Sequence, residues 1–311
     1  MPTDDRSKTG GLSVKIRATL ELIRPANIVT AFADIVAGAA AATGILMVTD
    51  PAATLIESQI YWLLLATFGL YGGGIVFNDF FDASLDAKER PERAIPSGRV
   101  TKTYAAILGG LLLLLGIVSA FMVNQTAGVL SVFISVCALY YDAKAKHSTL
   151  SGPLFMGSCR GGNLLLGAAL FPESLATLWP LAFLPLAYIG SITLISQGEV
   201  RGGSKTSGIF ASLIVTTIAI ALLLLAIMPS YSLLASLPFV LFFAVMVIPA
   251  FIKAARKPVP ILIKKAVKRG VLSLIILNSA IAAGFAGIAV GLALLLLLPV
   301  SILFAKAFSV T

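Results

Sequence analysis

Carboxylates crowd the end of an apolar run in the segment IVFNDFFDASLDAKERPERAIPSGRV, residues 75–100. If a helix continues through it, Asn78, Asp82 and Asp86 share one face at i, i+4 and i+8, with Asp79 on the flank of Asp82. Like charges this close repel one another, more strongly at a low-dielectric boundary, so we expect a cation among them. Oxygen ligands with vacant positions suit Mg²⁺. We therefore predict that Asn78, Asp79, Asp82 and Asp86 are catalytic metal ligands.

Three arginines, Arg90, Arg93 and Arg99, follow the acids directly. Guanidinium groups bind phosphate oxygens bidentately, so acids and arginines together predict a magnesium-bound diphosphate. The alternative is that the acids are simply solvated at a helix end and that the arginines mark the cytoplasmic side of a membrane. The glycines of YGGG, residues 71–74, favour a site, because they allow helices to approach closely just before the acids.

The composition is that of a multi-pass membrane protein: 58% of the residues are hydrophobic, 12% are charged and the mean hydropathy is +0.99. We predict an all-α polytopic fold in a single transmembrane domain, residues 1–311, in which the polar residues 1–20 form a cytoplasmic N-terminal segment. The nine apolar segments that we expect to span the bilayer are residues 25–47, 60–81, 103–122, 126–141, 150–170, 178–198, 208–228, 233–252 and 271–298.

Lysines and arginines are confined to alternate connections between these segments, which predicts a cytoplasmic N-terminus and an odd number of crossings of the cell (inner) membrane. The intervening connections, such as VNQTAG and FPESLAT, contain neither residue. The net charge of +9 is explained by this topology and by contact with anionic membrane lipids, so we predict no nucleic acid partner.

Two charged residues fall at membrane depth, where an isolated charge costs several kcal/mol. Asp34 lies well inside the first apolar segment and Arg160 well inside the fifth, with Asn27 and Asn163 near them in sequence. One interpretation is a buried ion pair that only fixes helix register. The other is the polar floor of a cavity that orients a substrate.

Several motifs resemble those of the UbiA superfamily of intramembrane prenyltransferases. NDFFDASLDAKERPERAIPSG is similar to the family's first aspartate-rich motif with its arginine-rich continuation. RPAN at the first apolar segment, YYDAK after the fourth and GSKT after the sixth agree in order and place. The resemblance implies a bundle of about nine helices around a central cavity. It also implies transfer of a prenyl group from a polyprenyl diphosphate to a small, often aromatic acceptor, with Mg²⁺ as cofactor.

Basic residues near these motifs, together with the polar residues at membrane depth, are predicted to bind the substrates. Charge-assisted hydrogen bonds to the diphosphate are expected from Arg93, Lys144 and Lys205. The residues predicted to bind one or other substrate are Asn27, Asp34, Arg93, Tyr140, Lys144, Arg160, Asn163, Arg201 and Lys205.

The family's second aspartate-rich motif is incomplete in LISQGEVRGGSKT, where Ile195 stands in the place of one aspartate and Glu199 in that of the other. We predict that Glu199 is a metal ligand. This departure, with MGSCRGGNLLLG and QGEVRGG, resembles the EboC branch of UbiA-like proteins, which implies a hydroxylated, cyclitol-like acceptor as readily as a phenol. The alternative function is a prenyl-diphosphate or lipid binding or transport protein that has lost the second motif.

Overall fold

Helices make up every element longer than a turn in the ranges that this computed structural model describes, residues 6–47, 59–200 and 202–307. A chain in lipid must satisfy its backbone hydrogen bonds within each crossing segment, and an α-helix does so. The helices are α1 (Arg6–Ile23), α2 (Pro25–Leu46), α3 (Ile60–Glu89), α4 (Lys102–Phe121), α5 (Gln125–Ala143), α6 (Ser151–Ala168), α7 (Leu175–Leu178), α8 (Phe183–Ser196), α9 (Lys205–Leu224), α10 (Leu233–Arg256), α11 (Pro260–Ala286), α12 (Ile288–Leu295) and α13 (Leu297–Ala307).

Nine helical segments among the described residues are long and apolar enough to cross a membrane, which confirms the predicted all-α bundle. Helix α6 is not one of the nine, although it packs inside the bundle against α2, α5 and α8. Helix α2 is the most enclosed of the nine, and α11 is the next. The segments that position polar side chains at membrane depth are therefore shielded from lipid by their neighbours.

The C-terminal helix prediction, residues 271–298, is wrong. Helix α11 already begins at Pro260 and ends at Ala286, where Gly287 adopts φ +91° and ψ 161°, a backbone conformation open essentially to glycine alone. Gly291 then packs back against the carbonyl oxygen of Ser279, and Ser301 Oγ donates a hydrogen bond of 3.0 Å to Ala26 O. The chain therefore returns as α12 and α13 to the end of the bundle at which α2 begins.

Glycines bring the backbones of α2 and α6 into direct contact. A Cβ atom on Gly38 would lie 2.0 Å from Leu164 O, and one on Gly167 would lie 2.3 Å from Ile35 O. Small residues allow such approach of helices in a membrane bundle. The close contact places the polar residues in the middle of α2 opposite those of α6.

Helix α3 continues past its predicted end at residue 81 as far as Glu89. All the acids of the first motif therefore lie on one rigid helix. Its last turns pack beside α5 and the segment that leads into α4.

Candidate active site

A central cavity of about 390 Å³ lies between α2, α3, α5, α6, α8 and α11. Its walls are mainly apolar and include Leu70, Ile134, Met156, Ile192 and Val271. The charged and amide side chains that line it next to the first motif are Asn78, Asp82, Asp86, Glu89, Arg90, Arg93, Asp142 and Glu199. One space therefore joins charged ligands to an apolar chamber.

The first motif divides between two cavities. Asn78, Asp82 and Asp86 line the central cavity together, as their i, i+4, i+8 spacing on a continuous helix requires. Asp79 does not line this cavity and faces an adjoining one of about 700 Å³ instead. Asp79 is therefore not positioned to bind a metal ion in the central cavity together with the other three residues.

Asp79 and Asp86 are tied together by arginines. Arg93 Nη1 donates to Asp86 Oδ2 at 2.8 Å and to Asp79 Oδ1 at 3.3 Å. Arg24 Nη2 donates to the same Asp79 oxygen at 2.5 Å. Asp79 thus holds the two guanidinium groups beside the central cavity, where both also form part of the lining.

Arg24 has a strained backbone at the junction of α1 and α2. Its φ of 49° and ψ of 71° make it the one described non-glycine residue with a positive φ. This left-handed conformation costs about 1–2 kcal/mol for a residue with a Cβ atom. The ion pair between Arg24 and buried Asp79 stabilises this backbone conformation. Pro25, the next residue, is suited to the first position of α2. The strain directs the Arg24 side chain to the site.

Asp82 is paired with a lysine that the sequence reasoning did not single out. Lys146 Nζ donates to Asp82 Oδ1, whereas Lys144, the lysine predicted to contact the diphosphate, is exposed at the end of α5 and lines neither cavity. Likewise Tyr141 lines the central cavity, while Tyr140 is 44% exposed and packs on Phe155. For the two lysines the difference is one of register where the helix ends, because helical spacing no longer relates side chains beyond Ala143.

The loop after α8 supplies one of the three residues predicted there. Glu199 is buried, lines both cavities, and its Oε1 has no hydrogen-bond partner. Burial raises the pKa of Glu199, and the charges of Arg90 and Lys264 oppose that rise. Lys205 is exposed at the start of α9 and lines neither cavity, and Arg201 lies outside the described residues.

The predicted polar pair at membrane depth is formed. Arg160 Nη1 donates to Asp34 Oδ2 at 2.8 Å, and both side chains are fully enclosed. Arg160 Nη2 also donates to Thr30 Oγ1 at 2.7 Å and to Tyr71 OH at 2.6 Å. Its Nε is buried without a hydrogen-bond partner. Because Arg160 and Tyr71 line the central cavity, the pair forms part of a polar floor.

Two asparagines also donate hydrogen bonds to the Asp34 carboxylate. Asn163 Nδ2 donates to Asp34 Oδ2 at 3.0 Å and to Ala31 O at 2.9 Å, while its Oδ1 accepts from Thr67. Asn278 Nδ2 donates to Asp34 Oδ1 at 2.6 Å. Asn278 comes from α11, and no sequence motif marked it. The predicted residues Asn27 and Asn163 both line the cavity, whereas Asp34 acts from behind the floor.

A magnesium ion fits the donor chemistry of the central cavity. Among the described residues, no group of three or more His, Cys, Asp or Glu side chains is arranged to hold a metal ion. Mg²⁺, however, needs only one or two carboxylates when substrate phosphates and water supply the remaining oxygens. Asp82, Asp86 and the unpartnered Oε1 of Glu199 line one cavity, and Asn78 adds a neutral oxygen ligand.

A sequence model of the UbiA prenyltransferase family matches residues 35–260. Curated relatives include two proteins named digeranylgeranylglyceryl phosphate synthase. The Methanosarcina barkeri protein is 32% identical over 166 residues, which are 51% of this chain and 57% of the relative. The Methanopyrus kandleri protein is 30% identical over 223 residues, which are 69% of this chain and 79% of that relative. The chain thus spans little more than half the length of the first of them.

Solved structures with the same fold include a digeranylgeranylglyceryl phosphate synthase, with a TM-score of 0.64 and 22% identity over 88% of this chain and 99% of that one. A UbiA homolog from Archaeoglobus fulgidus bound to GPP and Mg²⁺ also has a TM-score of 0.64, with 15% identity over 88% and 99% of the two chains. At these identities the similarity concerns the fold. The relatives described here do not carry the EboC name, so the resemblance to that branch stays a prediction.

Proposed function

The chain belongs to the UbiA prenyltransferase family, and on that premise we propose that it transfers a prenyl group from a polyprenyl diphosphate to a small acceptor within the membrane. The observation that carries the proposal is the continuity of the central cavity. Asp82, Asp86 and Arg93 line it together with apolar residues such as Leu70 and Ile134. A diphosphate joined to a hydrocarbon tail needs both environments in one space.

The ion pairs of the substrate-free site indicate how the diphosphate is held. Arg24, Arg93 and Lys146 each pair with a carboxylate of the first motif. Phosphate oxygens accept strong hydrogen bonds from guanidinium and ammonium groups, so these three side chains can turn from the acids to the diphosphate. Asp82 and Asp86 are thereby released to hold Mg²⁺, with Asn78 and Glu199 as further ligands.

Charge compensation at the diphosphate drives the chemical step. A Mg²⁺ ion held by Asp82 and Asp86 would supply positive charge to the diphosphate leaving group. Arg24, Arg93 and Lys146 add hydrogen bonds to the leaving group. The apolar walls exclude water from the allylic cation, and the ring of Tyr141, which also lines the cavity, offers an electron-rich face. The acceptor nucleophile then forms a bond to C1, and its proton passes to the released diphosphate.

Two parts of the structure support different acceptors. The floor presents Arg160, whose charge is balanced by Asp34, so it suits an uncharged hydroxyl group of a phenol or a cyclitol-like molecule. The adjoining cavity is lined by Arg17, Arg99 and Lys264 among other charged residues, and it suits a glycerol phosphate group such as the relatives' names imply. Comparing these acceptor classes in one assay decides between the two.

A binding or transport protein for prenyl diphosphates or lipids is the second candidate. The observation that favours it is the second motif, where Ile195 is buried in apolar packing and Glu199 is the only acid. Such a protein would bind the diphosphate and Mg²⁺ without breaking the bond to C1.

We also place the protein in the cell membrane, with the N-terminus and the site's charged residues at the cytoplasmic face. The lysines and arginines of the connections before α2, between α3 and α4, and after α5 support this orientation. Prenyl diphosphate would then enter from the cytoplasmic side, where membrane lipids provide the surroundings of its tail.

An assay of bond cleavage separates the two candidates. Purified protein is incubated with Mg²⁺, radiolabelled geranylgeranyl diphosphate and a phenolic, a cyclitol or a glycerol phosphate acceptor. We expect pyrophosphate and one prenylated product from the native protein and from Lys144→Met, and neither from Asp82→Asn. Binding of the diphosphate with no pyrophosphate release under any acceptor would favour the binding protein.

A further inference from the structure

Asp142 is a buried acid of the central cavity to which the sequence reasoning gave no role. We propose that Asp142 is a magnesium ligand that shares one ion with Asp82 and replaces the carboxylate missing at Ile195. The inference rests on the proposed function, because it concerns the same metal-bound diphosphate. It assigns to α5 the carboxylate that α8 lacks at Ile195.

The position of Asp142 is unfavourable for a negative charge. It lies in the last turn of α5, where the helix macrodipole presents its negative end. The residue is only 3% exposed, and a buried carboxylate is costly unless a cation accompanies it. The hydrogen bond that Asp142 Oδ1 accepts, from Asn78 Nδ2 at 2.8 Å, comes from a neutral amide.

The nearby cations are engaged elsewhere in the site. Lys146 Nζ donates to Asp82, and Arg24 Nη2 donates to Asp79. No ion pair joins Asp142 to any Lys or Arg side chain in the described ranges. A cation that Asp142 and Asp82 share would supply the missing compensation.

The arrangement of α3 and α5 brings the required oxygen atoms together. Asn78 and Asp82 lie one turn apart on the same face of α3, and Asp142 is hydrogen-bonded to Asn78. Asp82 and Asp142 therefore line neighbouring parts of the cavity wall. Two carboxylates with phosphate oxygens and water form a usual ligand set for Mg²⁺.

A second, independent observation points to a ligand in this cavity. Glu199 is 7% exposed, lines the cavity, and has an Oε1 atom without any hydrogen-bond partner. Ile195, which stands where the family has an aspartate, is buried in an apolar cluster and does not line the cavity. Among the described residues, Glu199 and Asp142 are the buried carboxylates of this cavity that form no ion pair, so both can serve a second metal position.

Metal counting tests the inference without measuring activity. Mn²⁺, a spectroscopic substitute for Mg²⁺, is titrated by electron paramagnetic resonance in the presence of a non-hydrolysable prenyl thiodiphosphate. Asp142→Asn keeps the side-chain shape and the acceptor for Asn78 but removes the charge. We expect it to lose one bound Mn²⁺ or to weaken Mn²⁺ binding by about tenfold or more, the scale at which ligand-shell changes act. Asp142→Glu, which keeps the carboxylate, should recover part of the affinity.

The controls separate this inference from the proposed function. Unchanged Mn²⁺ stoichiometry and affinity in Asp142→Asn, with binding lost in Asp82→Asn, would overturn the inference alone and make Asp142 an uncharged structural acid. Unchanged Mn²⁺ binding in both variants would overturn the metal site itself. If Asp142→Asn does not fold, Asp142→Ser decides, because it also lacks the carboxylate and an unaltered Mn²⁺ affinity in that variant would contradict direct coordination.

Discussion

Removing the negative charge of Asp34 should be the most damaging conservative change in the cavity floor. Asp34 accepts hydrogen bonds from Arg160 at 2.8 Å, from Asn163 at 3.0 Å and from Asn278 at 2.6 Å. In Asp34→Asn the Arg160 guanidinium, 1% exposed, would stay buried without its counter-charge. Breaking a buried ion pair by removing one partner costs about 3–5 kcal/mol. We expect the free energy of unfolding to fall by that amount.

Unfolding in mixed detergent micelles, followed by intrinsic fluorescence, measures the effect. Asp34→Leu, Arg160→Met and the double variant Asp34→Leu/Arg160→Met form a double-mutant cycle. The double variant should lose less stability than Asp34→Asn alone, because it leaves no unpaired charge in the bundle. A loss below about 0.5 kcal/mol in Asp34→Asn, or strict additivity in the cycle, would refute the assignment of a coupled buried pair.

Four further outcomes are expected. Lys146→Met should weaken binding of a prenyl diphosphate by about tenfold, measured by calorimetry, whereas Lys144→Met should not change it. Asp79→Asn should weaken diphosphate binding through its two arginine partners and leave the Mg²⁺ titration midpoint unchanged; a shifted midpoint would restore it as a metal ligand. Burial raises the pKa of Glu199 above the ordinary glutamate value of 4.5. The free energy of unfolding should therefore fall as the pH rises from 4.5 through the raised pKa, and Glu199→Gln should reduce this pH dependence. Gly287→Ala should cost about 1–3 kcal/mol in thermal unfolding, because φ is +91° there; an unchanged melting temperature would contradict the strained connection.

The helices and most of the first motif follow from sequence because their signals are periodic. Apolar length marks the crossing segments, and the i, i+4 spacing places Asn78, Asp82 and Asp86 on one wall. The pairing of Asp34 with Arg160 was expected from the cost of an isolated charge at membrane depth. In each case a single physical requirement, such as the cost of an unpaired charge in lipid, restricts the side chain to few possible positions or partners.

The remaining site residues depend on tertiary contacts that no local pattern encodes. Lys146 reaches Asp82 because the chain leaves the helix after Ala143, and helical spacing then gives the wrong lysine. Asn278 reaches Asp34 from a distant helix with no motif around it. Gly287 ends α11 within a long apolar run, where hydropathy alone does not distinguish one helix from two.

Calorimetric titration of a non-hydrolysable geranylgeranyl thiodiphosphate, with and without Mg²⁺, tests the central claim most directly. The account predicts tight binding only when Mg²⁺ is present. It also predicts loss of that binding in Asp82→Ala and in Asp86→Ala, with folding in detergent retained, because both carboxylates are expected to hold the metal. Unchanged affinity in both variants, or equal affinity with and without Mg²⁺, would contradict a metal-bound diphosphate at this site.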